Sequence, residues 1–162
     1  MKRQSTPSYG EAIFSHDEKL LFLLLKEYII VINQQGLILL NYLIVSLGAA
    51  FGGVARYWLS NFVYKFFPAI FPYGTLAVNI IGSFILGLII FVFDERELIN
   101  NQLKIFLTIG FCGGFTTFST FSLETLNLLR DSQYFLALLN IILSVVFCIA
   151  GVFLAYIVSK II

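Results

Sequence analysis

The sequence predicts an all-α membrane protein with four transmembrane helices, the third broken mid-membrane. Three observations carry this. Of the 162 residues, 59% are hydrophobic and only 12% are charged, whereas a soluble domain is about half apolar and a quarter charged. The apolar residues gather into four stretches, each near the ~20 residues a helix needs to cross the hydrocarbon core. One stretch also collects glycines and hydroxyl residues that a regular helix in lipid does not favour.

Residues 1–36 differ from the remainder. Lys2, Arg3, Glu11, His16, Asp17, Glu18, Lys19, Lys26 and Glu27 all fall here. The apolar run Leu20–Ile32 is interrupted by Lys26-Glu27 and is short for a span. It reads as an N-terminal tail or an amphipathic interfacial helix. A small-residue cleavage site is not evident, which argues against a signal peptide.

The remainder, 37–162, holds spans at about 37–59, 73–93, 103–129 and 134–158. Arg56-Tyr57-Trp58 near the end of the first suits a membrane interface. Pro68 and Pro72 separate the first two spans, and Asp94-Glu95-Arg96-Glu97 marks a solvated loop after the second. With four spans, Arg96, Lys104 and Lys160 lie on one side. Lys65, Arg130 and a snorkelling Arg56 lie on the other. The balance gives almost no orientation for the core, so the chain is a candidate for inserting both ways up.

Several function classes are excluded. A net charge of +1 offers no electrostatic case for nucleic acid. Four spans leave no length for a soluble catalytic domain. The chain has no phosphate-binding glycine loop, nucleophile elbow or His/Cys/Asp cluster, so an enzyme is not expected. Cys112 and Cys148 lack CxxC spacing and read as small packing residues.

The chemistry must lie in polar groups within the spans, where each is expensive. Thr75, Asn79 and Ser83 recur every four residues and share a helix face. They form either a polar packing seam or a lining. In the third span, Gly110 to Ser122 holds three glycines and five hydroxyl residues. This predicts a break near Gly113–Thr117, whose freed backbone can bind ions; a kinked helix that re-satisfies its own backbone is the bland reading. Phe118, Phe121 and Glu124 then follow at spacing three. Ring edges carry positive potential and attract an anion without holding it tightly, although ordinary packing explains phenylalanine equally well. Ser119 and Thr120 add donors beside them. Asn140, Ser144, Cys148, Gly151 and Ala155 form one stripe on the fourth span. Arg56 is either an interface anchor or a vestibule cation, and Glu124 is either near water at its helix end or a buried protonatable group.

Three motifs, in order and each on its expected span, resemble the Fluc/CrcB fluoride channel family. They are Gly52-Gly53-Val54-Ala55-Arg56-Tyr57, then Gly74-Thr75-Leu76-Ala77-Val78-Asn79-Ile80-Ile81-Gly82-Ser83-Phe84, then the run from Gly110 to Phe121. The likeness covers about Asn41 to Ile162. It implies an antiparallel, dual-topology homodimer in the cell inner membrane with two fluoride pathways. It also implies passive fluoride export that relieves toxicity. On this resemblance Asn79 donates to fluoride, and Phe118 and Phe121 present their edges. Ser119, Thr120 and Ser144 extend the polar track, and Arg56 and Glu124 match charged positions near the pore. The backbone carbonyls of Gly114 and Thr117 match the holders of a central structural sodium ion. The implied partners are a second copy, fluoride and lipid, with no nucleic acid. Residues 1–40 have no counterpart in the family pattern. A dual-topology, proton-coupled exporter of small cations using Glu124, and a non-transporting scaffold, are the rival readings.

Overall fold

The computed structural model describes residues 16–162, with side chains from Lys19 onward. The charges read from Lys2 to Glu18 lie outside the described side chains. The chain divides into two units, one ending at Leu40 and the other running from Asn41 to Ile162.

In the first unit the described residues are helical throughout. Leu20 to Leu25 are all more than half exposed. Six successive positions at ~100° each point all the way round a helix. The apolar side chains of Leu20–Leu25 are therefore not confined to one face.

The second unit opens with the C-terminal part of α1 (His16–Val63). α2 (Tyr73–Leu88) starts after Pro72 and continues as a π-helical segment, Ile89–Asp94. The third span is assembled from α3 (Asn101–Ile105), a π-helical segment Phe106–Cys112, α4 (Gly113–Phe115) and α5 (Phe118–Arg130). α6 (Tyr134–Ile161) completes the chain. Four helical stretches among the described residues are long and apolar enough to cross a membrane: Lys19–Val63, Tyr73–Asp94, Asn101–Arg130 and Tyr134–Ile161. The last three agree with the sequence reading to within a few residues. The first is longer at both ends; at its start, Leu20–Ile32 is apolar and helical too.

Local chemistry sets the element ends. The Asn100 side chain accepts from Leu103 N at 2.9 Å, so α3 starts there. Helical backbone stops in both polar loops through the same device. Glu97 has φ 56° and Ser132 has φ 60°. Leu98 N donates to Phe93 O, and Gln133 N donates to Leu128 O, each closing a six-residue turn over a left-handed residue. Lys104 and Asp94 pair at 2.7 Å across the first of these loops. Arg96 donates to the Ser159 carbonyl at 2.7 Å, placing a cation on the C-terminal end of α6.

Packing in this unit uses small residues, which let helices approach where apolar burial gives no driving force against lipid. α2 packs along α6, with Gly87 against Ala155 and Gly151 against the Ile80 backbone. Gly48 meets Gly110, where a Cβ on Gly48 would fall 2.9 Å from the Gly110 Cα and 2.5 Å from the Phe106 carbonyl oxygen. Gly114 likewise lies on Ala49, with an added Cβ 2.8 Å from the Ala49 Cα. Only glycine permits these contacts.

Candidate functional site: the broken third span

The third span does break, at two residues. Thr116 (φ −78°, ψ 157°) and Thr117 (φ −150°, ψ 108°) are extended between α4 and α5. Gly113 and Gly114 remain helical, so the break is narrower than the expected Gly113–Thr117. Glycine is tolerated in the short helix because Gly114 is needed for contact with Ala49.

A broken backbone in apolar surroundings must find partners for its amide groups. Here they come from the second span. Asn79 Oδ1 accepts from Thr117 N at 2.8 Å, and Asn79 Nδ2 donates to Thr117 O at 3.1 Å. The carboxamide thus stands in for a peptide group on both sides of Thr117. One of its two N–H bonds is used and one is left over. Thr117 also caps the next helix. Its Oγ1 accepts from Thr120 N at 3.2 Å, donates to Thr120 Oγ1 at 2.9 Å, and lies 3.3 Å from Ser119 Oγ. Thr116 Oγ1 donates back to the Cys112 carbonyl at 2.9 Å.

On one side of the break lies an open groove of about 250 Å³. Asn79, Thr117, Phe118, Phe121 and Ser144 line it, with Ser83, Thr116, Val145 and Cys148. The rings of Phe118 and Phe121 stand 5.5 Å apart, tilted by 44°. Phe118 is 79% exposed at the start of α5. Ser144 is buried at 7% exposure, and its hydroxyl has no partner.

The other predicted residues fall elsewhere. Arg56 lines a second cavity of about 200 Å³ with Gly53, Ser60, Thr75, Thr117 and Thr120. Thr120 therefore joins Arg56 rather than the ring pair, and Thr117 alone borders both spaces. Ser119 is exposed and reaches only the Thr117 hydroxyl. Glu124 lies apart from Phe118 and Phe121, although the three share a spacing. Its Oε1 accepts from Thr75 at 2.8 Å, its Oε2 has no partner, and it lines a polar cavity with Tyr64, Asn127, Asp131 and Gln133. Burial raises the Tyr64 phenol pKa above its usual value, and Glu124 adds to the rise. Asn140, fully buried, donates to Thr125 Oγ1 at 2.9 Å and ties α6 to α5.

The groove includes Ser83, Thr116 and Cys148, which sequence reasoning left as seam, break or packing residues. Ser83 stands four positions after Asn79, and Cys148 four after Ser144. That i, i+4 relation was the available signal.

Fold and site together define a small multi-pass membrane protein with a hydroxyl-, amide- and aromatic-lined groove beside an interrupted span. The family model described as CrcB-like protein, Camphor Resistance (CrcB), matches residues 43–156, and the chain belongs to this family. Proteins named fluoride-specific ion channel FluC are similar to it. That of Magnetococcus marinus is 49% identical over 118 residues, 73% of this chain and 96% of the relative. That of Coxiella burnetii is 48% identical over 122 residues, 75% of this chain and 98% of the relative. That of Geobacter sulfurreducens is 50% identical over 109 residues, 67% of this chain and 88% of the relative. The relatives carry the name of a channel, and the family is one of channels, not enzymes.

Proposed function

We propose that this chain is the subunit of a passive, fluoride-selective channel that exports fluoride across the inner membrane. The observation that carries the reading is the groove of Asn79, Ser144, Phe118 and Phe121 at the broken span, in a chain nearly half identical to proteins named fluoride-specific channels. Fluoride is small and strongly hydrated, so a path for it must replace water with donors. The spare Asn79 N–H and the Ser144 hydroxyl supply these. Thr117 satisfies the Thr120 amide, and the first amides of α5 at Phe118 and Ser119 have no partner within their helix. Those amides give the groove the positive end of a helix. The ring edges add weak attraction, which lets an ion leave again.

The antiparallel homodimer belongs to this proposal. Near-equal charge on the two faces of the core favours neither orientation. The bound sodium belongs to it as well. α4 ends at Phe115, and a helix end leaves its last carbonyls without intrahelical donors. The Thr117 amide, which would otherwise take the Gly113 carbonyl, donates to Asn79. Carbonyl oxygens suit a hard monovalent cation, and the described residues hold no cluster of three carboxylate, thiolate or imidazole groups for another metal. The Gly114 carbonyl and the second lone pair of the Thr117 carbonyl, which already accepts from Asn79, would hold the ion, which would supply fixed positive charge at the break.

The Glu124 exporter is less well supported, because its carboxylate lies apart from the ring pair. Efflux from proteoliposomes, read with a fluoride electrode, tests the proposal. Fluoride efflux well above that of chloride is expected. Equal chloride efflux, or none of either from folded protein, overturns it. A proton-driven flux of small cations lost in Glu124→Gln would favour the exporter. Single cysteines labelled from both faces are expected, and labelling from one face only rules out the antiparallel pair.

A further inference from the structure

We propose that Cys148 and Ser144 make the groove a binding site for a soft, thiophilic metal ion, and that occupancy of this site closes the path. This rests on the reading of the groove as the fluoride path.

The chemistry of the lining separates Cys148 from its neighbours. Among the lining residues, Asn79, Ser83, Thr116, Thr117 and Ser144 offer hard oxygen and nitrogen groups, and Phe118, Phe121 and Val145 are apolar. No carboxylate lines the groove, so a hard divalent cation has no charged ligand there. Cys148 contributes the one sulfur. It is half-buried, and no disulfide ties it up. The other cysteine, Cys112, is 2% exposed and does not line the groove.

A second, independent feature marks the spot. Ser144 is more than nine-tenths buried, lines the same groove, and its hydroxyl has no partner. It lies four residues before Cys148 on α6, which places the two Cβ atoms ~5–6 Å apart on one helix face. Thiolate sulfur selects soft ions such as Ag⁺ or Hg²⁺, and the hydroxyl oxygen supplies a weaker second ligand. The binding step is a proton exchange. The Cys148 S–H bond gives up its proton to water, and the sulfur pair forms the metal–sulfur bond with no change in oxidation state. The bound metal ion then fills the groove between Ser144 and Cys148 and obstructs the path.

The test uses full-length protein in liposomes, in chloride-free nitrate buffer, with silver nitrate as the probe. Untreated protein must release fluoride; without that release the channel reading itself fails, whatever silver does. With micromolar silver, efflux is expected to fall at least ten-fold and to return on adding dithiothreitol. Cys148→Ser is expected to keep its own untreated rate in silver. Equal block of Cys148→Ser overturns the site. If that variant does not fold, wild-type protein is titrated with methyl methanethiosulfonate. This forms a mixed disulfide with Cys148 and releases methanesulfinate. Efflux is then expected to fall in proportion to the labelled fraction of Cys148 read by peptide mass. Full efflux with Cys148 fully labelled, or no labelling at all, overturns the proposal.

Discussion

The Asn79 carboxamide and the Thr117 peptide exchange two hydrogen bonds, at 2.8 and 3.1 Å, across 38 positions of sequence. The break is therefore held open from the neighbouring helix. Asn79→Asp keeps an acceptor for Thr117 N and removes the donor to Thr117 O. The expected result is a loss of about 1–3 kcal/mol of stability, read by thermal unfolding in detergent. Fluoride efflux should also fall at least ten-fold, because a negative charge would line the groove.

Phe118 separates function from folding more cleanly. It is 79% exposed, so Phe118→Ile should change stability by no more than ~0.5 kcal/mol. Isoleucine has no ring edge, and efflux should drop at least ten-fold. An efflux rate near wild type would show that the ring contributes only bulk.

Two glycines five positions apart in α1 should behave oppositely. Gly48→Ala drives a methyl into Phe106 O and Gly110, and should cost roughly 1–3 kcal/mol. A Cβ on Gly53 meets nothing within 4 Å, so Gly53→Ala should be neutral or gain up to ~1 kcal/mol from helix propensity. Urea or thermal melts of both variants in the same detergent provide the check.

The left-handed residues Ser132 and Glu97 carry side chains where glycine is preferred. Ser132→Gly and Glu97→Gly should each stabilise the protein by about 1 kcal/mol. Unfolding midpoints that stay put or fall would show that these side chains have partners worth more than the strain.

If Gly114 and Thr117 carbonyls hold sodium, exchanging sodium for N-methyl-D-glucamine should lower the unfolding midpoint in detergent, and added sodium should restore it in a saturable manner. A midpoint indifferent to the cation would remove the ion from the proposal.

Most of the span layout was legible because long apolar runs bounded by charges and prolines have few alternatives. The break was legible as a region, since glycines and hydroxyls crowd Gly110–Ser122. Its two-residue width was not, because Gly114 is helical for the sake of Ala49, a contact 65 positions away in sequence. Shared spacing also misled for Glu124. Three residues per step drifts round an α-helix by ~60° each time, so Glu124 reaches Thr75 and the polar cavity beside Tyr64, and the ring pair stays with Ser144. The first span's extension was hidden by Lys26-Glu27, which interrupt the apolar run without interrupting the helix. The π-helical segments were not legible, because neither Ile89–Asp94 nor Phe106–Cys112 carries a pattern that separates it from an α-helix.

Those π-helical segments have a genetic consequence. Apart from Gly110, which must stay glycine against Gly48, positions within Phe106–Cys112 can be substituted with the backbone path intact, but a one-residue deletion cannot leave it so. Removing a residue would let the wide turns tighten to α geometry, and everything downstream would rotate by ~100° and move by ~1.5 Å. Gly110 would leave Gly48, Gly114 would leave Ala49, and Thr117 would lose Asn79. The segment thus works as a register key, intolerant of length, and a deletion scan would reveal at every position what a substitution scan would register only at Gly110.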